Sequence, residues 1–167
     1  MTHEPRLTRE LKKLLNSQRV AALGTIDDAG NPFVSMVPFA IEPQLHCLVI
    51  HVSGLAAHTR YLQARERVSL MVMQSEVAGE PVHALPRVTL DGVATVAPRG
   101  SAEWTACRTS YLTRFPEAEP MTELGDFKFI AIKVTGARQV AGFGAARSLD
   151  EVEINVVLGP SEHVVGE

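Results

Sequence analysis

The stretch that decides the fold runs from Val20 to Val52 and has the sequence VAALGTIDDAGNPFVSMVPFAIEPQLHCLVIHV. Two polar breaks, DDAGN and EPQ, divide it into three apolar segments of strand length, a pattern typical of antiparallel hairpins. The middle segment carries apolar residues on both of its faces. A strand that is apolar on both sides is usually buried on both sides. The pattern therefore predicts a closed antiparallel barrel whose outside is covered by helices or by another subunit.

Helical patterns flank these strands, and further strands follow. A stripe of leucines between Leu7 and Leu15 predicts an N-terminal helix, and Ser53 is expected to cap a short helix from Leu55 to about Ala64. A third helix is predicted from residue 101 to residue 115. Later strands are expected at 68–73, 87–96, 127–134 and 138–143, with a bulge or a close backbone approach at Gly92. The fold class is thus mainly β (α+β), a six- to seven-stranded antiparallel barrel with flanking helices.

Composition indicates a globular protein of one domain. The 167 residues are 46% hydrophobic and 21% charged, with a formal net charge of −3. This balance disfavours a nucleic-acid binder, and no apolar run is long enough to span a membrane. We expect a cytoplasmic protein with two reduced cysteines and no metal site, since neither cysteine lies in a C-x-x-C motif. Residues 1–147 are predicted to form the domain and residues 148–167 a C-terminal tail.

The segment Ser53-Gly54-Leu55-Ala56-Ala57-His58-Thr59-Arg60 is the strongest candidate for a binding site. A buried strand ends there and a helix begins, so free backbone N–H groups and the helix dipole favour an anion. Ser53 offers a hydroxyl, and His58 and Arg60 offer nearby donors. These last two side chains point about 200° apart on a regular helix, so they cannot both approach one phosphate directly. An ordinary capped helix with a solvated basic face is the alternative interpretation.

Two further positions carry weaker signals. Because Pro38 cannot donate a hydrogen bond to a sheet, the strand from Ser35 to Pro38 either offers unpaired backbone groups to a flat heteroaromatic ligand or lies at a sheet edge. Arg87 opens a strand, where it either meets an anionic or carbonyl partner or lies exposed at the strand end. His51 and His58 are the titratable candidates near this region, and neither is assigned as a general acid or base.

Several segments together resemble those of one protein family. In chain order they are Ala22-Leu23-Gly24-Thr25, Gly30-Asn31-Pro32, Val34-Ser35-Met36-Val37-Pro38-Phe39, Ser53-x-Leu55-Ala56-x-His58-x-Arg60-x-Leu62, Val68-Ser69-Leu70-Met71 and Gly142-Phe143-Gly144-x-Ala146. From about Val20 to Ala146 the chain thus resembles the flavin-binding split-barrel family that includes pyridoxamine 5′-phosphate oxidase. The resemblance is strongest to the haem-utilisation branch of that family.

The resemblance implies a homodimer of split β-barrels of the FMN-binding type, with FMN bound in clefts between the subunits. The positions that would contact FMN are Ser35, Met36, Val37 and Pro38 along the flavin, Val52 and Ser53 near its ribityl phosphate, His58 and Arg60 at the phosphate, and Arg87 beside the isoalloxazine. The same arrangement supplies a cover for strands that are apolar on both sides, because the dimer interface buries the outer wall of the barrel.

Four functions stay open under this resemblance. The first is an FMN-dependent oxidoreductase that acts on a small-molecule redox substrate, in which the flavin carries the redox chemistry and the catalytic residues are unassigned. The second is a haem-binding or haem-utilisation protein of the same fold. In that branch a histidine of the C-terminal tail can ligate haem iron, and His163 occupies a comparable place. The third is a non-catalytic flavin-binding module, and the fourth is a barrel without a cofactor.

Overall fold

The computed structural model describes residues 3–161 of the chain. Its strands are β1 (Val20–Ile26), β2 (Pro32–Pro38), β3 (Ala40–Glu42), β4 (Cys47–Ser53), β5 (Arg67–Met73), β6 (Arg87–Val96), β7 (Phe127–Val140) and β8 (Ala146–Asp150). Its helices are α1 (Arg6–Ser17), α2 (Ala57–Ala64), α3 (Ala102–Arg114), α4 (Glu119–Thr122) and α5 (Glu151–Leu158). No helix within residues 3–161 is both long enough and apolar enough to cross a membrane.

The sheet curls because its two end strands are neighbours in sequence. The strand order is β2-β1-β5-β6-β7-β4-β3, and β8 pairs with β7 beside this path. A single residue, Phe39, links β2 to β3, the first and last strands of that order. One residue spans only about 7 Å, so the ends of the sheet must meet. The predicted antiparallel split barrel with flanking helices is confirmed.

The strand boundaries differ from the predicted ones in two places. The strand expected across residues 33–41 is divided at Phe39, whose N–H donates to the Arg19 carbonyl at 3.1 Å. The strands expected at 127–134 and 138–143 are one strand, because β6 pairs along β7 on both sides of a register shift. With the addition of β8, the sheet has eight strands rather than the six to seven predicted from the sequence.

The predicted bulge at Gly92 is confirmed. The register between β6 and β7 shifts between Asp91 and Gly92. At Gly92 the backbone lies so close to β7 that a Cβ atom would be 2.7 Å from the Lys133 carbonyl oxygen. A side-chain carbon cannot approach an oxygen that closely, so the close approach of the two strands requires glycine.

The part of the predicted tail that the structure describes adds a strand and a helix to the barrel. Residues 146–150 form β8 and pair with β7. α5 begins at a capping box, in which Asp150 and Glu153 each accept the other's backbone N–H at 2.8 Å. Ile154 and Leu158 on α5 are buried. The boundary at residue 147 stays a prediction, and residues 148–158 pack on the sheet.

The barrel has an inner core and a second core outside part of its wall. Leu48, Ile50 and Ile132 belong to the inner core. Val49, on the opposite side of β4, packs in the second core with residues of α3 such as Tyr111. We call this outward side of β3, β4 and the adjoining part of β7 the covered face. The predicted covering of the outer wall by helices is thus found here.

The outward side of β2, β1 and β5 has a different environment, and we call it the bare face. Val34 and Met36 on β2 are 68% and 63% exposed, and Met71 and Met73 on β5 are also exposed. The register places Met36 opposite Ala22, and Ala22 opposite Met71, so these side chains lie in one row across three strands. Within residues 3–161 no helix covers this row, which leaves an apolar surface on the sheet.

Candidate functional site

A serine–histidine pair joins the edge strand β2 to α2. Ser35 Oγ and His58 Nδ1 lie 2.9 Å apart, so the structure brings these two sequence-predicted residues together. Burial lowers the pKa of His58, which favours a neutral imidazole near neutral pH. Phe33 and Tyr61 pack edge to face on the same two elements, with ring centroids 5.2 Å apart. The pair is therefore an uncharged hydrogen-bonding site at neutral pH.

The turn from β4 into α2 is built differently from the expected cap. The N-cap residue of α2 is Ala56, which has no side-chain oxygen, so the expectation that Ser53 caps the helix is wrong. Ser53 Oγ accepts the Leu55 N–H at 3.1 Å, and the Ser53 carbonyl accepts the Thr59 hydroxyl at 2.6 Å. The serine hydroxyl lies too early to cap the helix, and it stabilises the preceding turn instead. The neighbouring Val52 is buried in the inner core.

Arg60 and His58 have separate partners. The Arg60 guanidinium donates to Asp28 Oδ2 at 2.8 Å, in the turn between β1 and β2, and both side chains are exposed. The hydrogen bond to Asp28 raises the pKa of Arg60. This separation agrees with the opposite directions expected from the helical spacing. The phosphate clamp of His58 and Arg60 stays a prediction, and a phosphate would have to compete with Asp28 for Arg60.

The other predicted flavin contacts point to different sides of the sheet. Met36 points outward on the bare face, whereas Val37 is buried in the inner core. Pro38 ends β2 opposite Val20, at the edge of the sheet, as one of its two interpretations predicts. Arg87 donates to the carbonyls of His83 and Leu85, at 3.3 and 2.9 Å, so it has the carbonyl partners that the sequence offers as one alternative.

Sequence reasoning about individual motifs missed the bare face as a candidate site. Beside the exposed methionines lies an open cleft of about 560 Å³, with Gly24, Val34 and Asp91 among its lining residues. Ser69 Oγ donates to Asp91 Oδ1 at 2.7 Å in its wall. The signal for this surface was the alternation itself, since Val34, Met36, Met71 and Met73 occupy alternate positions of two strands. A flat apolar ligand or a second protein surface would fit such a face.

His51 lies in an aromatic cluster of the covered face. Its ring centroid is 4.4 Å from that of Phe129, 5.0 Å from that of Phe127 and 5.7 Å from that of Tyr111. Burial, with a smaller contribution from Arg99, lowers the pKa of His51 to about 4. This histidine is therefore a neutral packing residue at pH 7. Among residues 3–161 no group of three or more histidine, cysteine or acidic side chains is placed to hold a metal ion.

Known proteins resemble this chain over most of its length. The family model described as pyridoxamine 5′-phosphate oxidase matches residues 7–141. The heme oxygenase HutZ of Vibrio cholerae is 30% identical over 142 residues, which cover 84% of this chain and 80% of that protein. The chloroplastic non-canonical heme oxygenase HOZ of Arabidopsis thaliana is 31% identical over 151 residues, which cover 86% of this chain.

A solved structure shows the same architecture. The structure described as a heme binding protein from Mycobacterium smegmatis superposes with a TM-score of 0.80 at 27% identity, covering 93% of this chain. The match spans 62% of the mycobacterial chain and 44% of the plant protein, so both relatives extend beyond it. The family model, the sequence relatives and the curled antiparallel sheet agree, and the chain belongs to the pyridoxamine 5′-phosphate oxidase family of split barrels.

Proposed function

We propose that this protein binds haem on the bare face of its sheet, between two copies of the chain. The observation that carries the proposal is the row of exposed methionines on β2 and β5, which offers a flat apolar surface beside an open cleft. A porphyrin is itself flat and largely apolar, and thioether side chains adapt to irregular ring surfaces. Relatives in bacteria and a plant are named heme oxygenases, which supports haem rather than an unrelated apolar ligand.

The charges around the sequence-predicted phosphate site also favour haem over FMN. A flavin phosphate is bound best by cations and N–H donors. Here His58 is neutral near pH 7 and bonded to Ser35, and Arg60 is bonded to Asp28. FMN binding, with oxidoreductase activity on a small-molecule substrate, is the second candidate. It is favoured by the family match and by the placement of Ser35 and His58 beside the first turn of α2.

A second copy of the chain supplies the cover in this proposal. Exposed apolar side chains that lie together on one sheet face are typical of an interaction surface. The covered face receives its cover from α3, and no element within residues 3–161 does the same for the bare face. We infer that a homodimer buries the bare face and encloses the ligand. When bound, haem would supply a redox-active iron, and the chain's own methionines would exclude water from the macrocycle.

Ligand titration of the purified protein tests the proposal. We expect haemin to bind with a sharp absorption band at one equivalent per chain, and FMN to bind more weakly. Met71→Glu places a charge on the bare face and should weaken haemin binding at least about tenfold. Val156→Glu alters an exposed valine of α5 and should leave the affinity unchanged. Saturable FMN binding without haemin binding, or equal affinities for both variants, would contradict the proposal.

The C-terminal histidine is tested separately because it lies outside the described residues. The proposed iron ligand is His163, which follows from the family resemblance. We expect His163→Ala to shift the haemin absorption band while metal-free protoporphyrin binds as tightly as before, since only the iron loses a ligand. An unchanged haemin spectrum would remove His163 as the ligand and leave the bare face as the binding surface.

A further inference from the structure

Two arginines on β6 and β7 extend the outward surface beyond the methionines of the bare face. On β6, Arg87 is opposite Met73 of β5, and Thr89 is opposite both Met71 of β5 and Arg138 of β7. Arg87 and Arg138 are therefore diagonal neighbours on adjacent strands. Residues at such diagonal positions are roughly 7–8 Å apart, so two side chains as long as arginine can contact the same ligand.

We propose that Arg87 and Arg138 form a carboxylate-binding pair that holds the acidic side chains of the ligand on the bare face; this inference rests on the proposed haem function. A guanidinium binds a carboxylate through two parallel hydrogen bonds, and two guanidiniums side by side match a ligand with two carboxylates on one edge. Haem has this shape, with an apolar macrocycle and two propionates at one edge. The macrocycle would lie on Met71 and Met73 with the propionates toward β6 and β7.

Both arginines have donors to spare. Arg87 uses Nη1 for the carbonyls of His83 and Leu85, and Arg138 uses Nη1 for Ser148 Oγ at 3.2 Å. Nε and Nη2 of each guanidinium stay available for a ligand. Within residues 3–161 neither arginine is in an ion pair. The three fixed contacts orient the guanidiniums without neutralising them, as a carboxylate site requires.

The distribution of charged side chains along this surface gives the ligand a direction. Asp91 follows Thr89 by two residues on β6, so it faces the bare side too, and its carboxylate accepts a hydrogen bond from Ser69. Along β6 the charge thus changes from positive at Arg87 to negative at Asp91. The exposed Arg67 lines the same cleft as Asp91, so that end carries one charge of each sign, whereas two arginines lie at the Arg87 end; the propionates should therefore point to the latter.

Paired titrations with protoporphyrin IX and its dimethyl ester test the carboxylate pair. The ester has the same macrocycle without charged carboxylates, and the metal-free ring removes any contribution from an iron ligand. We expect the wild-type protein to prefer the diacid by about tenfold or more, and this preference should fall as salt concentration rises. In Arg138→Gln the preference should fall by at least about threefold, and in the double variant with Arg87→Gln it should vanish.

Controls separate this inference from the proposed function. Arg6→Gln removes an arginine of α1 and should leave the preference at the wild-type value. Arg87→Lys keeps the charge and gives a second variant if Arg87→Gln unfolds, which thermal unfolding reports; it should retain part of the preference. Equal binding of diacid and ester by the wild type would overturn the carboxylate pair while haem binding stands. Failure of both porphyrins and of haemin to bind would overturn both.

Discussion

The outer wall of the barrel has two halves that share one sequence pattern, but one half is buried under a helix and the other is exposed. On the covered face, Val49 and Phe129 are buried under α3 together with Tyr111. On the bare face, Val34 and Met36 have the same alternation and stay exposed. Both halves belong to one continuous sheet, so the difference lies in what packs on them rather than in the strands.

The two faces make different contributions, the covered face to the stability of the fold and the bare face to binding. Burial of apolar side chains by α3 contributes directly to the stability of the single chain. Exposure of apolar side chains on the bare face contributes nothing to that stability until a ligand or a second copy covers them. Substitutions on the covered face should therefore change unfolding, whereas substitutions on the bare face should change binding and association.

A matched pair of valines gives the largest expected difference between the two faces. Val49→Ala removes two methyl groups from a fully buried site and should lower the free energy of unfolding by about 2–3 kcal/mol. Val34→Ala removes the same groups from an exposed site and should change it by less than about 0.5 kcal/mol. Urea denaturation of both variants at a protein concentration that favours the monomer measures the difference. Equal losses would mean that the bare face is buried in the single chain as well.

The attachment of α3 to the barrel offers a second, smaller test. Arg114 at the end of α3 donates to the carbonyls of Phe39, Leu15, Asn16 and Gln18, and so joins α3 to α1 and to the link between β2 and β3. Arg114→Met keeps most of the side-chain packing and should lower the unfolding free energy by about 1–2 kcal/mol, because these carbonyls lose a charged donor.

Arg60→Met is the control for the arginine substitution. Arg60 has an exposed ion pair with Asp28, which should contribute less than about 1 kcal/mol. Thermal unfolding of the two variants compares them directly. If Arg60→Met were the more destabilising, the attachment of α3 would not depend on the carbonyl contacts of Arg114.

Most of the barrel could be predicted from local pattern because its strands are apolar segments of strand length and the turns between them contain breaking residues. The bulge at Gly92 was visible as a glycine inside a strand pattern. The break at Phe39 was not, since Phe39 looks like any apolar strand residue and only curling of the sheet explains it. β8 was also missed, because its short sequence ARSLD is mostly polar and lacks the apolar pattern of a strand. Its pairing with β7 depends on backbone hydrogen bonds, which the side chains do not reveal.

The candidate site was less accessible to sequence reasoning. Ser35 and His58 were placed in one site by family resemblance, and they do meet, at 2.9 Å. Spacing also indicated that His58 and Arg60 diverge. The partner of Arg60 could not be inferred, because Asp28 is 32 positions away and is brought near by the turn between β1 and β2. Nor could the pattern tell which apolar strand faces receive a helix, since that depends on where α3 packs.

A further expected effect concerns pH and the histidine of the covered face. Burial lowers the pKa of His51 from its ordinary value of 6.5 to about 4 in the folded protein. As the pH falls from 6.5 toward 4, the unfolded chain therefore takes up a proton on this histidine before the folded protein does. The stability that the neutral histidine contributes is fully present above pH 6.5 and is lost as the pH falls from 6.5 to about 4. His51→Phe should flatten the decline in unfolding free energy between pH 7 and pH 5, because it removes the group whose pKa differs between the folded and unfolded chain. Chemical denaturation at both pH values measures the slopes, and an unchanged slope in His51→Phe would show that the ring is solvated and that α3 covers this part of the wall incompletely.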